Sequence, residues 1–130
     1  MQSIAAENNL AETAFYIPQE NGQEADIVSI SPDFALLEKI DALGIIITAP
    51  GENYDFVSRF FAPSVGVLED PVTGSAHCNL IPYWSEILKK EVLTAAQLSE
   101  RTGELFCEQK GERVLMAGKA VTYLKGEIFI

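Results

Sequence analysis

The residues best suited to chemistry lie together in one segment, Glu69-Asp70-Pro71-Val72-Thr73-Gly74-Ser75-Ala76-His77-Cys78. A turn of the type Asp-Pro-x-Thr-Gly-Ser-Ala that feeds an apolar helix gathers backbone N–H groups at the positive end of that helix, with the Thr73 and Ser75 hydroxyls beside them. Such a turn can hold a carboxylate or phosphate without a cationic side chain. Gly74 suits the close approach of backbone to ligand, where a Cβ would have no room. The plain alternative is that Ser75 is an ordinary helix N-cap and Asp70 closes an Asx turn. His77, the single histidine, could shuttle a proton near Ser75. With no Ser-His-Asp or metal-ligand spacing around it, it reads better as a structural histidine. Cys78 could be a thiolate base, but it adjoins an apolar helix face and equally suits inert packing.

The elements that must position this segment follow from pattern. Asp55-Phe56-Val57-Ser58-Arg59-Phe60-Phe61 is β-branched and aromatic and predicts a strand leading through Pro63 into the turn. A helix is expected from near Ser75, with Ala76, Leu80, Tyr83, Trp84, Ile87 and Leu88 at helical spacing as core positions. Upstream, residues 1–9 predict a short helix and Thr13–Ile17 a strand, stopped by Pro18. Residues 19–26, polar and turn-rich, are the nearest thing to a seam. A second helix is expected with Ser31 as N-cap and Pro32 at its first position, running to about Leu43 and stopped by Gly44. Ile45–Thr48 then reads as a strand buried on both faces. Downstream, Thr94-Ala95-Ala96-Gln97 has a capping-box pattern that predicts another short helix. The chain should close on two or three strands: Leu105–Glu108, Arg113–Met116, and Val121–Leu124 with Ile128–Ile130.

Bulk properties narrow the function classes. With 130 residues, 48% apolar and 22% charged, the chain suits a single globular domain over 1–130. Nineteen acidic residues against nine basic ones give a net charge of −10. That charge repels phosphate backbones and anionic lipid, so neither nucleic acid nor membrane is an expected partner. Cys78 and Cys107 are too few for a disulfide framework, and no Cys/His spacing suggests a metal site. The amino terminus has no basic n-region and no apolar stretch approaches the ~20 residues of a membrane span, so a cytoplasmic location is expected.

Arg59-Phe60-Phe61-Ala62-Pro63, followed by Glu69 through His77, resembles the C-terminal half of the PhzF-like phenazine-biosynthesis family. Residues from about 25 to 130 fit that half. Met1 through Phe15, by contrast, resembles the helix and strand of the family's other half that carry its catalytic glutamate, so residues 1–20 match a different part of the family. The resemblance implies the α+β, diaminopimelate-epimerase-like fold: here a single half, a mixed or antiparallel curved sheet or open barrel around a central helix. It also implies a cofactor-independent, metal-free isomerase that moves a proton on a small carboxylated substrate. Glu12 matches the catalytic acid/base, and Asp70 is carried over with it as a catalytic position. Thr73, Gly74, Ser75 and Ala76 fall in the substrate-binding turn. Without the resemblance, Glu12 reads as a solvated surface residue.

Set against that resemblance, about residues 18–26 are expected to stand in place of the family's long stretch between these pieces, which includes a Gly-His motif of the site, and the family's first strand with its Gly-Asn-Pro turn has no counterpart among residues 1–130. Strands without their neighbours would expose unpaired edges, so a homo-oligomer is expected, a dimer formed by association or by exchange of elements. A non-catalytic remnant that binds a small anion or self-associates is the alternative to an active isomerase.

Overall fold

A computed structural model describes Thr13–Tyr16 and residues 22–129. Glu12 and the expected helix over residues 1–9 lie outside the described residues. The described elements are β1 (Thr13–Tyr16), α1 (Glu24–Ser29), α2 (Phe34–Leu37), β2 (Gly44–Pro50), β3 (Phe56–Phe61), a 3₁₀ turn (Pro63–Val65), α3 (Gly74–Leu88), β4 (Val92–Gln97), β5 (Gly103–Lys110) and β6 (Arg113–Ala117). The six strands form one open sheet in chain order. It is mixed: β1 runs parallel to β2 and β3 parallel to β4, while β2–β3, β4–β5 and β5–β6 are antiparallel. A parallel neighbour requires a crossover, and α3 supplies the one from β3 to β4.

At β2 both faces of the sheet are covered, and the alternation of side chains along that strand shows how. Ile46 joins Phe56, Leu80, Trp84, Leu93 and Leu105 under α3. Ile45 and Ile47 point the other way, to Ile27, Val57 and Phe61, where Phe34 and Leu37 of α2 close the layer. The run at Ile45–Thr48 is therefore continuous because each face of its strand is dry. Trp84 stacks on Phe56 at 5.6 Å and 6°, and its indole N–H donates to Thr48 Oγ1 at 2.9 Å. Thr48 in turn donates to the Val57 carbonyl at 2.7 Å, so this buried polar chain is satisfied.

Six expectations are corrected. Asp33, not Ser31, caps α2, accepting the Leu36 N–H at 3.2 Å. That helix ends at Leu37 rather than Leu43, because only Phe34 and Leu37 find a buried layer; Ile40 and Leu43 remain 41% and 51% exposed, so burial does not drive its extension. Gly44 opens β2 instead of stopping a helix, and a Cβ there would collide with the Phe60 ring. The polar seam contains α1, whose Gln23 and Asp26 form a reciprocal cap. Thr94–Gln97 belongs to β4, paired to β3 and β5 at once, and two ladders of hydrogen bonds override a local capping pattern. Val121–Leu124 and residues 128–129 form no strand; the described chain beyond Ala117 carries no regular element.

Candidate functional site

The turn is built from the end of β3. Arg59, 12% exposed, grips Glu69 with both arms, Nε to Oε1 at 2.7 Å and Nη2 to Oε2 at 3.0 Å. Its remaining nitrogen donates to the carbonyls of Ile27 and Ile30 at 3.1 and 2.7 Å, capping the open end of α1. The guanidinium lies 4.9 Å from the centroid of Phe61. One residue further on, the Asp70 N–H donates to the Phe60 carbonyl at 3.0 Å, and the chain enters the turn at a fixed angle.

Inside the turn, the Thr73 hydroxyl donates to Asp70 Oδ2 at 2.5 Å. Gln97, fully buried on β4, reaches across: its Oε1 accepts the Thr73 N–H at 2.9 Å, and its Nε2 donates to the Asp70 carbonyl at 2.7 Å and to Thr73 Oγ1 at 3.0 Å. Ser99 donates to the Pro71 carbonyl at 2.9 Å. The side chain of Val72 sits where a Cβ on Gly103 would be, so glycine there admits the turn against β5.

Thr73 is the N-cap of α3 and makes no side-chain cap bond; Ser75 is the second residue of the helix, so the alternative that Ser75 is an ordinary N-cap does not hold. Gly74 and Ser75 are exposed, whereas Ala76 is buried under α3. Among the described residues no acceptor meets the N–H groups of Gly74, Ser75 or Ala76. A Cβ on Gly74 would touch nothing within 4 Å. Gly74 borders an open cleft of about 750 Å³ whose walls include Val72, Gly103, Leu105, Met116 and Lys119.

His77 is fully buried beside Phe56, and its Nδ1 lies 2.8 Å from the Thr73 carbonyl. A carbonyl only accepts, so Nδ1 carries the proton and Nε2, with no partner among the described residues, is left as an acceptor. Burial pushes the imidazole below its usual range, outweighing the opposing bond to Thr73, and His77 stays neutral at physiological pH. It ties the first turn of α3 together rather than facing the cleft's exposed residues. Cys78 is half-buried, and burial drives the Cys107 thiol up to about 11, which leaves it an inert core group.

Of the residues singled out from sequence, the structure brings Asp70, Thr73, Gly74, Ser75 and Ala76 into one turn; Glu12 lies outside the described residues. Gln97 is the participant that pattern reading missed. Its partners are 24 and 27 positions away, and no local signal encodes them.

Residues 22–126 match the family model described as phenazine biosynthesis-like protein, PhzC-PhzF. The chain belongs to this PhzC/PhzF family. It is 56% identical over 105 residues to an uncharacterized isomerase of Pseudomonas aeruginosa, covering 81% of this chain and 40% of that protein. Solved structures of a PhzC/PhzF protein from Clostridium difficile and a PhzF-family protein from Enterococcus faecalis superpose with TM-scores of 0.79 and 0.81 at 48% and 44% identity. Each comparison covers 91% of this chain and 45% of the other. The α+β architecture is thus that of PhzF proteins, which share the diaminopimelate-epimerase-like fold, and the chain spans less than half the length of these relatives. The match includes the whole of the Arg59–Cys78 segment and Gln97. Among the described residues no helix is long and apolar enough to cross a membrane.

Proposed function

We propose that this PhzF-family chain carries the anion-binding half of an isomerase-type site, in which Glu12 is the acid/base that moves a proton on a small carboxylated substrate. The observation that carries the reading is the unspent set of N–H groups at Gly74, Ser75 and Ala76, opening beside Gly74 onto a cleft of about 750 Å³. Three aligned donors at a helix start attract a carboxylate locally despite the net charge of −10. Ser75 Oγ adds a hydroxyl at the same exposed edge, and Asp70 shapes the turn through Thr73. A carboxylate base is sufficient for proton transfer next to a carboxyl group when donors stabilise the enolate-like charge, so the reaction requires no cofactor or metal. The setting is cytoplasmic, where the thiols of Cys78 and Cys107 stay reduced. Solvent-deuterium incorporation into a panel of small chiral carboxylates tests the reading. Exchange that disappears in Glu12→Gln and weakens in Ser75→Ala supports it; exchange indifferent to both substitutions refutes it.

A second reading is favoured by one observation. Val121, Tyr123, Leu124, Ile128 and Phe129 are 81–98% exposed in a stretch without regular structure. So many large apolar groups in water suit a segment that is covered in an assembly. In this reading the chain is a non-catalytic anion binder that self-associates, two copies covering each other's Val121–Phe129 segments. Sedimentation velocity at micromolar concentration distinguishes the cases: a dimer that dissociates in Tyr123→Asp/Phe129→Asp supports self-association, and a monodisperse monomer refutes it.

A further inference from the structure

The amide of Gln97 can be oriented in only one way. The Thr73 N–H needs an acceptor and the Asp70 carbonyl needs a donor, so Oε1 faces the first at 2.9 Å and Nε2 the second at 2.7 Å. A flipped amide would set donor against donor and acceptor against acceptor. With Nε2 so placed, its other hydrogen points at Thr73 Oγ1, 3.0 Å away. The Thr73 hydroxyl proton then cannot turn towards Gln97, and the carboxylate oxygen Oδ2 of Asp70 receives it. Two links run in one direction: Gln97 amide to Thr73 hydroxyl, Thr73 hydroxyl to Asp70. Asp70 Oδ1 has no partner among the described residues and is the oxygen left for a ligand or a water.

We propose that Gln97 is a positioning residue of the PhzF turn: it sets the direction of the Thr73 O–H bond, holds the Asp70 carboxylate by its inner oxygen, and keeps the Gly74–Ala76 amides in register with the outer one. This rests on the anion-cradle reading above. No other side chain of this size does the same. Glutamate offers acceptors where Nε2 donates, and methionine offers neither donor nor a strong acceptor. Leucine would leave the Thr73 N–H and the Asp70 carbonyl buried and unpaired.

The experiment is NMR on ¹³C,¹⁵N-labelled protein carrying Gln97→Glu, Thr73→Val or both, with inorganic phosphate as the anion probe. In the ligand-free protein, Thr73→Val removes the hydroxyl and moves the Asp70 carboxyl-carbon signal. Gln97→Glu is expected to move it in the same direction, because the hydroxyl turns to the new carboxylate, and the double variant should add nothing to Thr73→Val. In the phosphate titration, read on the amides of Gly74, Ser75 and Ala76, the loss of affinity from Gln97→Glu should be at least fivefold greater with the Thr73 hydroxyl present than in Thr73→Val. The comparison between backgrounds removes the direct effect of the added charge. An unmoved Asp70 carboxyl signal, or equal affinity losses in both backgrounds, overturns the proposal and leaves Gln97 as a structural tie. Should Gln97→Glu fail to fold, Gln97→Met must shift the Asp70 signal part of the way to its Thr73→Val value, and no shift overturns the proposal equally. If phosphate leaves the wild-type amides unmoved, the anion-cradle reading falls, while the Asp70 carboxyl signal still decides the direction of the chain.

Discussion

Gly74 and Gly103 flank the same turn, and replacing each by alanine should have opposite effects on stability. Gly74 begins α3 with a backbone that other residues adopt, and its Cβ would stand clear of every atom within 4 Å. Gly74→Ala therefore restricts the unfolded chain without straining the folded one, a gain of about 0.4–1 kcal/mol. That is a rise in Tm of about 2–4 °C for a chain of this size. The new methyl occupies the open space beside the unspent amides, so phosphate binding should weaken, and Gly74→Val should weaken it further. Gly103→Ala instead drives a methyl into the Val72 side chain, which itself packs the turn against β5. Overpacking of this kind costs about 1–3 kcal/mol, enough to lower Tm by several degrees. Thermal unfolding followed by circular dichroism, paired with phosphate titration, measures both. A Gly74→Ala variant that is destabilised, or one that is stabilised yet binds phosphate as the wild type does, would refute the assignment of Gly74 to the ligand side of the turn.

Asp55 predicts an acid-sensitive joint. Burial favours its neutral form, but donors from Lys90 and from Thr94, whose N–H lies at 2.8 Å, together outweigh that and hold the carboxyl below its usual range. A lowered folded value contributes stability that is present above the unfolded value of about 3.9 and is lost as pH falls through the folded one. Asp55→Asn should cost about 1 kcal/mol at pH 7 and flatten the loss of stability below about pH 4, as read by urea unfolding across pH; an unchanged acid limb would refute the assignment. Arg59→Lys keeps the charge but loses the two-armed grip on Glu69 and the carbonyl contacts of Ile27 and Ile30. A loss of about 2 kcal/mol is expected, and near-neutral behaviour in the same assay would show that the fork does not fix the turn.

How much of this was legible in the residues depends on the distance over which each feature is decided. The β3–turn–α3 unit could be read because its signals are local: a β-branched and aromatic run, a glycine-bearing turn, then Ala76, Leu80 and Trp84 recurring every four residues along the buried face. Ile45–Thr48 was legible for a similar reason, since a short unbroken apolar run needs two dry faces. The resemblance to PhzF proteins rests on the same contiguous residues, 59–77, which is why it survives in a chain spanning less than half of its relatives' length.

Features fixed by distant partners were misread or missed. Thr94-x-x-Gln97 satisfies a capping box on paper, yet β3 and β5 take its backbone on either side and the amide of Gln97 is spent on Thr73 and Asp70. The Ser31–Leu43 segment carries helix start and stop signals, but only its Phe34 and Leu37 meet a buried layer, so the helix stops where burial stops. In the Asp70–Ala76 turn, residue types alone placed the Thr73 and Ser75 hydroxyls together around the helix end. Tertiary structure divided them: Thr73 is turned inward by an amide from β4, and Ser75 is left at the open edge. Local sequence sets which groups a turn contains; the direction of each hydrogen bond is decided by whatever donor or acceptor the rest of the fold brings against it.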